Sequence, residues 1–143
     1  MAAQKGSEPT RNSFYRARVM FSGDPEIPGL VTKIAVFQEA KMPNKMLSFY
    51  SDLLMLNYGY FWKICKADGY MKIRVAGEVI YCIYWLILQE NKILFPCNRR
   101  LKEYVGQCGD KPEKIVEKCR AFCESMDNNL LEDIIDSYHA WTK

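Results

Sequence analysis

Residues 60–89 constrain this chain more than any other stretch, because they read as three consecutive β-strands with almost nothing between them. Tyr60-Phe61-Trp62-Lys63-Ile64-Cys65-Lys66 leads into the turn Ala67-Asp68-Gly69, and residues 70–75 lead into a second turn at Ala76-Gly77-Glu78. The apolar run 79–88 follows. Ile, Val, Tyr and Trp favour the pleated backbone, and Asp-Gly and Ala-Gly punctuate it, so the pattern predicts strands. Side chains alternate along a strand. In the middle strand Met71, Ile73 and Val75 then share one face, and Tyr70, Lys72 and Arg74 the other. In the first strand Trp62 and Ile64 join the apolar face, leaving Phe61 and Lys63 opposite. The run 79–88 is apolar on both faces, which predicts a strand central in its sheet or covered by helices.

The flanks extend this reading. Residues 1–12 are polar and aperiodic, with Pro9, and predict a flexible arm. Residues 14–21 and 30–37 carry aromatic and β-branched residues and read as two further strands, separated by the Pro25/Pro28 and Gly23/Gly29 loop. Met42-Pro43-Asn44-Lys45 opens a helix, because proline is tolerated in a first turn. Met46, Phe49, Tyr50, Leu53 and Leu54 recur at helical spacing, and Asn57 and Gly59 supply an ending. Asn98 can cap a short helix through Val105, and Asp110 a second one burying Ile115, Val116, Cys119, Phe122, Cys123 and Met126. Asn128 or Asn129 breaks that helix. A last helix presents Leu130, Leu131, Ile134, Ile135, Tyr138 and Trp141.

The expected fold is therefore one α+β domain over residues 13–143. A mostly antiparallel sheet in the order β-β-α-β-β-β is followed by two or three helices in a C-terminal segment, 98–143. The first part resembles the β-grasp (ubiquitin-like) order of hairpin, helix and further strands. Ser22-Gly23-Asp24-Pro25-Glu26-Ile27-Pro28 and the Ala67-Asp68-Gly69 turn are similar to local stretches of the ubiquitin-fold modifier. A conjugated modifier exposes a C-terminal glycine, whereas this sequence ends in Trp141-Thr142-Lys143, so modifier function is not expected.

With 143 residues, 49% hydrophobic and 26% charged, the composition is that of a folded globular protein with one core. The longest apolar run is about half of what a membrane-spanning helix requires, so no membrane association is expected. The first eight residues hold no apolar segment of the secretory kind, which for a natural start at Met1 predicts an intracellular protein, cytoplasmic or nuclear. Six cysteines are then expected to be reduced. The net charge of +3 hides an asymmetry. Residues 110–143 hold five Lys/Arg against eight Asp/Glu, a balance of −3, so the remainder carries +6. Such a body can attract an anionic partner, or the acidic segment can lie across it.

Chemistry-bearing constellations are few. Cys119 and Cys123 share a helix face, and Cys108 and His139 could approach them, but no Cys-x-x-Cys pair exists and both helix cysteines lie on the core stripe. No metal or cofactor is expected on that basis. His139 is the single histidine, and nothing in the spacing gives it a nucleophile, so no catalytic residue is assigned. The principal expectation is a non-enzymatic protein that binds another macromolecule. It would be a protein-binding adaptor or a small subunit of a larger complex, with Tyr138 and Trp141 of the last helix as anchors. The alternative is a nucleic-acid-binding module for single strands. It would use a basic-aromatic sheet face of Phe61, Lys63, Tyr70, Lys72 and Arg74, extended by Arg99, Arg100 and Lys102. A thiol- or zinc-dependent enzyme is the third reading.

Overall fold

The computed structural model describes residues 7–143, and among these there is no strand. The described residues form an all-α fold, which overturns the expected α+β, β-grasp-like sheet. The elements are α1 (Glu8–Asn12), α2 (Ile27–Ile34), α3 (Met42–Ser51), a π-helix (Asp52–Ile64), α4 (Gly69–Glu90), α5 (Leu101–Gln107), α6 (Ile115–Ser125) and α7 (Asn128–Trp141). Single 3-10 turns at Glu39–Lys41 and Asn98–Arg100 lead into α3 and α5.

The stretch expected as three strands is the end of the π-helix and the whole of α4. Asp68 and Gly69, read as a turn, stand at the start of α4, where Asp68 is the extended N-cap. Gly77, read as a second turn, lies inside that helix and is not among the residues with positive φ. At 22 residues α4 is about 33 Å long. Its second half is buried on every side: Cys82 to Gln89 are all enclosed. A helix surrounded in this way shows no polar stripe, so its sequence loses the period that marks an amphipathic helix. What remains visible is β-branched and aromatic content, a local preference that tertiary burial overrides.

Around α4 pack the π-helix, α3, α5 and α6, with α7 against α6. The core is contiguous, from Leu53 and Trp62 through α4 to Ile115, Phe122, Leu131 and Ile134. Phe49 stacks on Trp85 with ring centroids 3.7 Å apart and planes within 5°.

The π-helix continues past Asn57 and Gly59, the expected end of the preceding helix. Its buried residues Leu53, Asn57 and Trp62 are spaced by four and five, which the wider coil aligns on one side. The Asn57 side-chain amide donates to the Asp52 carbonyl at 2.9 Å, five residues back. Gly59 is required here, because an added Cβ would lie 2.5 Å from the Leu54 carbonyl oxygen. The coil closes at Cys65, whose N–H reaches the Tyr60 carbonyl at 2.9 Å, and at Ala67, whose N–H reaches that of Phe61 at 3.0 Å. Lys66 between them takes φ +49°, the left-handed ending that glycine usually supplies.

Residues 14–21 and 30–37 are not strands either. Residues 14–16 are turn, and most of the second segment belongs to α2, with Pro28 in its first turn. Of the expected arm, residues 1–6 lie outside the described residues and α1 occupies 8–12. Helix α1 clasps the body. The Glu8 carboxylate accepts from the Phe95 N–H at 2.9 Å, from Gln89 Nε2 at 3.2 Å and from the Lys45 ammonium. Arg11 is buried and donates to the carbonyls of Ile34 and Val36.

The C-terminal helices fall close to their sequence signals. The break between α6 and α7 comes at Met126 and Asp127, just before Asn128. The Asp127 carboxylate caps α7, accepting from the N–H groups of Asn129 at 2.8 Å and Leu130 at 3.1 Å. Helix α6 starts at Ile115, five residues after Asp110, and buries Ile115, Cys119 and Phe122, whereas Cys123 is exposed. No described helix is long and apolar enough to cross a membrane.

Candidate functional site

Helix α4 divides at its middle. From Cys82 to Gln89 it is enclosed, but its first half leaves Tyr70, Ile73, Arg74, Gly77 and Glu78 exposed. Two grooves run along this half. One, of 280 Å3, lies between α4 and the π-helix, with Leu56, Phe61, Met71 and Val75 as apolar lining and Asp52 beside them. The other, of 700 Å3, lies toward α5, between Ile73, Ile80 and Tyr84 on α4 and Leu101 and Lys102 across from them. Arg74, Glu78 and Tyr81 line both.

The floor is rigid for identifiable reasons. Tyr81 sits edge-on to Phe95 with centroids 5.5 Å apart, and 5.9 Å from Phe49, which is itself stacked on Trp85. The rim is open and mixed: Ile73 is 60% exposed and Leu56 45%, with the charged Arg74 and Glu78 exposed beside them. Arg74, Glu78 and Asp52 form no ion pair with any described residue. In the second groove Arg74 and Lys102 outnumber Glu78, so a carboxylate brought by a partner is met there rather than beside Asp52 in the first.

The residues assigned to a basic-aromatic sheet face are distributed over helices, since the sheet is absent. Phe61 and Arg74 meet in the first groove, and Arg74 and Lys102 in the second. Lys63 and Lys72 line a separate cavity with Trp62. Tyr70 is exposed at the start of α4. Arg99 is exposed, and Arg100 pairs with Glu103 at 2.9 Å and lies over the Tyr104 ring. Of the proposed anchors on the last helix, Tyr138 is buried, and Trp141 is half-buried with its indole N–H donating to Asp110 at 2.6 Å. Leu56 and Ile73 went unassigned. Leu56 carries no signal beyond its place in a helical run, and Ile73 was assigned to the apolar side of a strand.

The buried thiols are held in their protonated form. Burial pushes the Cys82 thiol up to about 12, and does the same to Cys119, so both stay protonated at neutral pH. Burial likewise raises Cys108, Tyr84 and Tyr138. His139 Nε2 lies 3.0 Å from the Tyr50 hydroxyl, with no cysteine in that contact. No group of three or more metal-ligating side chains is found among the described residues. Comparison with protein-family models, with curated proteins and with solved structures gives no match.

Proposed function

We propose that the protein works by binding another protein, through the paired grooves along the first half of α4. The occupant is a segment that lays apolar side chains against Leu56, Phe61, Ile73 and Tyr81 and brings a carboxylate to Arg74. The observation that carries this reading is the half-buried state of α4. A helix whose second half is sealed on all sides leaves Ile73 open between two grooves that share Arg74, Glu78 and Tyr81. Apolar residues set beside concave surface and rimmed by charges are typical of protein interaction sites. The solvent-exposed free thiols of Cys65 and Cys123 support an intracellular setting.

Affinity capture from cells tests the reading when the comparison is between variants. Leu56→Glu, Ile73→Glu and Arg74→Glu each place an unfavourable charge in the grooves without disturbing a buried residue. Met20→Glu, at an apolar position 85% exposed on another segment, is the control. Partners shared by the parent and Met20→Glu are expected to be lost from the three groove variants. Retention of those partners by all three would overturn the assignment.

A further inference from the structure

A cavity of 620 Å3 lies where the π-helix ends, between it and the start of α7. Three lysines line it, Lys63, Lys66 and Lys72, and one acid, Glu132. Lys63 is 3.3 Å from Glu132 and 4.6 Å from the Tyr58 ring centroid. Lys72 lies 5.4 Å from the Trp62 ring centroid. Neither Lys66 nor Lys72 has an ion pair with a described residue. The wall therefore carries two positive charges without compensation.

Trp62 and Asn128 have the same polarity. Indole nitrogen is a donor only, and Trp62 Nε1 donates to Asn128 Oδ1 at 2.8 Å. That contact fixes the amide, leaving the Asn128 Nδ2 donors without a partner among the described residues. The Tyr58 hydroxyl faces the Lys63 ammonium and accepts from it. Glu132 is the only carboxylate in the lining. Ala67, also in the lining, stands two residues before the N-terminus of the 22-residue α4. No side chain caps that end, and the first amide there with a backbone partner is Lys72, bonded to the Asp68 carbonyl at 3.1 Å.

We infer that this cavity binds a multiply charged, phosphate-bearing small molecule, held chiefly by Lys66 and Lys72. The volume is that of an ordinary small-molecule site. Lys66 and Lys72 act as separate point charges, the way lysine meets a phosphate whose oxygens point in several directions. This site is separate from the grooves along α4.

Isothermal titration calorimetry with inorganic pyrophosphate and with adenosine 5′-diphosphate, at matched ionic strength, tests the inference. Saturable one-to-one binding of both is expected. Equal affinities assign recognition to the phosphates alone, and tighter adenosine diphosphate binding adds a contact to its organic part. Lys66→Gln and Lys72→Gln are each expected to weaken binding about tenfold. Glu132→Gln should strengthen it, and Lys33→Gln, exposed on α2 and outside both the cavity and the grooves, should leave it unchanged. Circular dichroism verifies that each variant is folded. Pyrophosphate binding no stronger than that of sulfate, or equal weakening by Lys33→Gln and Lys72→Gln, would overturn the site. So would binding of a single-stranded oligonucleotide with none of either small molecule.

Discussion

Replacing Gly77 with alanine separates a helix from a turn by the sign of the stability change. Gly77 lies inside α4, and a Cβ added there meets nothing within 4 Å. No steric cost then offsets the gain from restricting the unfolded chain, and alanine in an exposed helix interior is better than glycine by about 1 kcal/mol. For a chain of this size that corresponds to a rise of about 4 °C in the unfolding midpoint. Gly69 provides the internal contrast. It also has open space around it, but its φ of +46° is left-handed, so Gly69→Ala should cost about 1 kcal/mol. Urea unfolding followed by far-ultraviolet circular dichroism reads both changes, with tryptophan fluorescence as a second probe of a single transition. Had Ala76-Gly77-Glu78 been a tight turn with a left-handed glycine, Gly77→Ala would destabilise. A loss of stability in that variant would refute the helical account of this segment.

Three further outcomes follow from individual contacts. Asp127→Ala removes the cap of α7 and should cost about 1 kcal/mol, read by the same unfolding curves, while Asp127→Asn should recover most of it. The thiols of Cys82 and Cys119 have folded-state values near 12 against an ordinary 9.0. The folded state therefore holds these protons more tightly than the unfolded one. Their contribution is fully present below pH 9 and is lost as pH rises toward 12, on the order of a few kcal/mol, so unfolding midpoints should fall steeply in that window and less steeply in Cys82→Ala. Arg11→Ala leaves the Ile34 and Val36 carbonyls without their donor. Trypsin should then cut faster at Arg16, Arg18 or Lys33, on a segment with no buried residue between 13 and 41, and unchanged cleavage would show that the clasp does not hold it.

The parts of this fold legible in the sequence are those where one face of a helix meets water. Helix α7 shows its buried Leu131, Ile134, Ile135 and Tyr138 at helical spacing, with acids between, and α6 shows Ile115, Cys119 and Phe122 in the same way. The start of α3 was marked by Pro43. Helix α4 was misread because it is the centre of the bundle. From Cys82 to Gln89 every position is buried, so no alternation with polar residues survives to reveal a period. Gly69 and Gly77 then appeared to divide it into strands. The second half of the π-helix is hidden for a different reason: the step of five from Asn57 to Trp62 matches neither an α-helix nor a strand. For the sites, Lys63 and Lys72 were expected on one surface and do line one cavity. They are brought there by a helix end and the next helix start rather than by neighbouring strands. Lys66 joins them from the left-handed residue between those helices, a position that a strand reading places in the approach to a turn.

Both proposed binding surfaces depend on α4 being one continuous helix from Gly69 to Glu90. Backbone α-carbon chemical shifts, assigned by nuclear magnetic resonance on the full chain, test this most directly. An unbroken run of helical shifts across all of α4, passing through Ala76-Gly77-Glu78 without interruption, is the predicted result. Strand-like shifts on either side of Gly77, with a break between them, would contradict it.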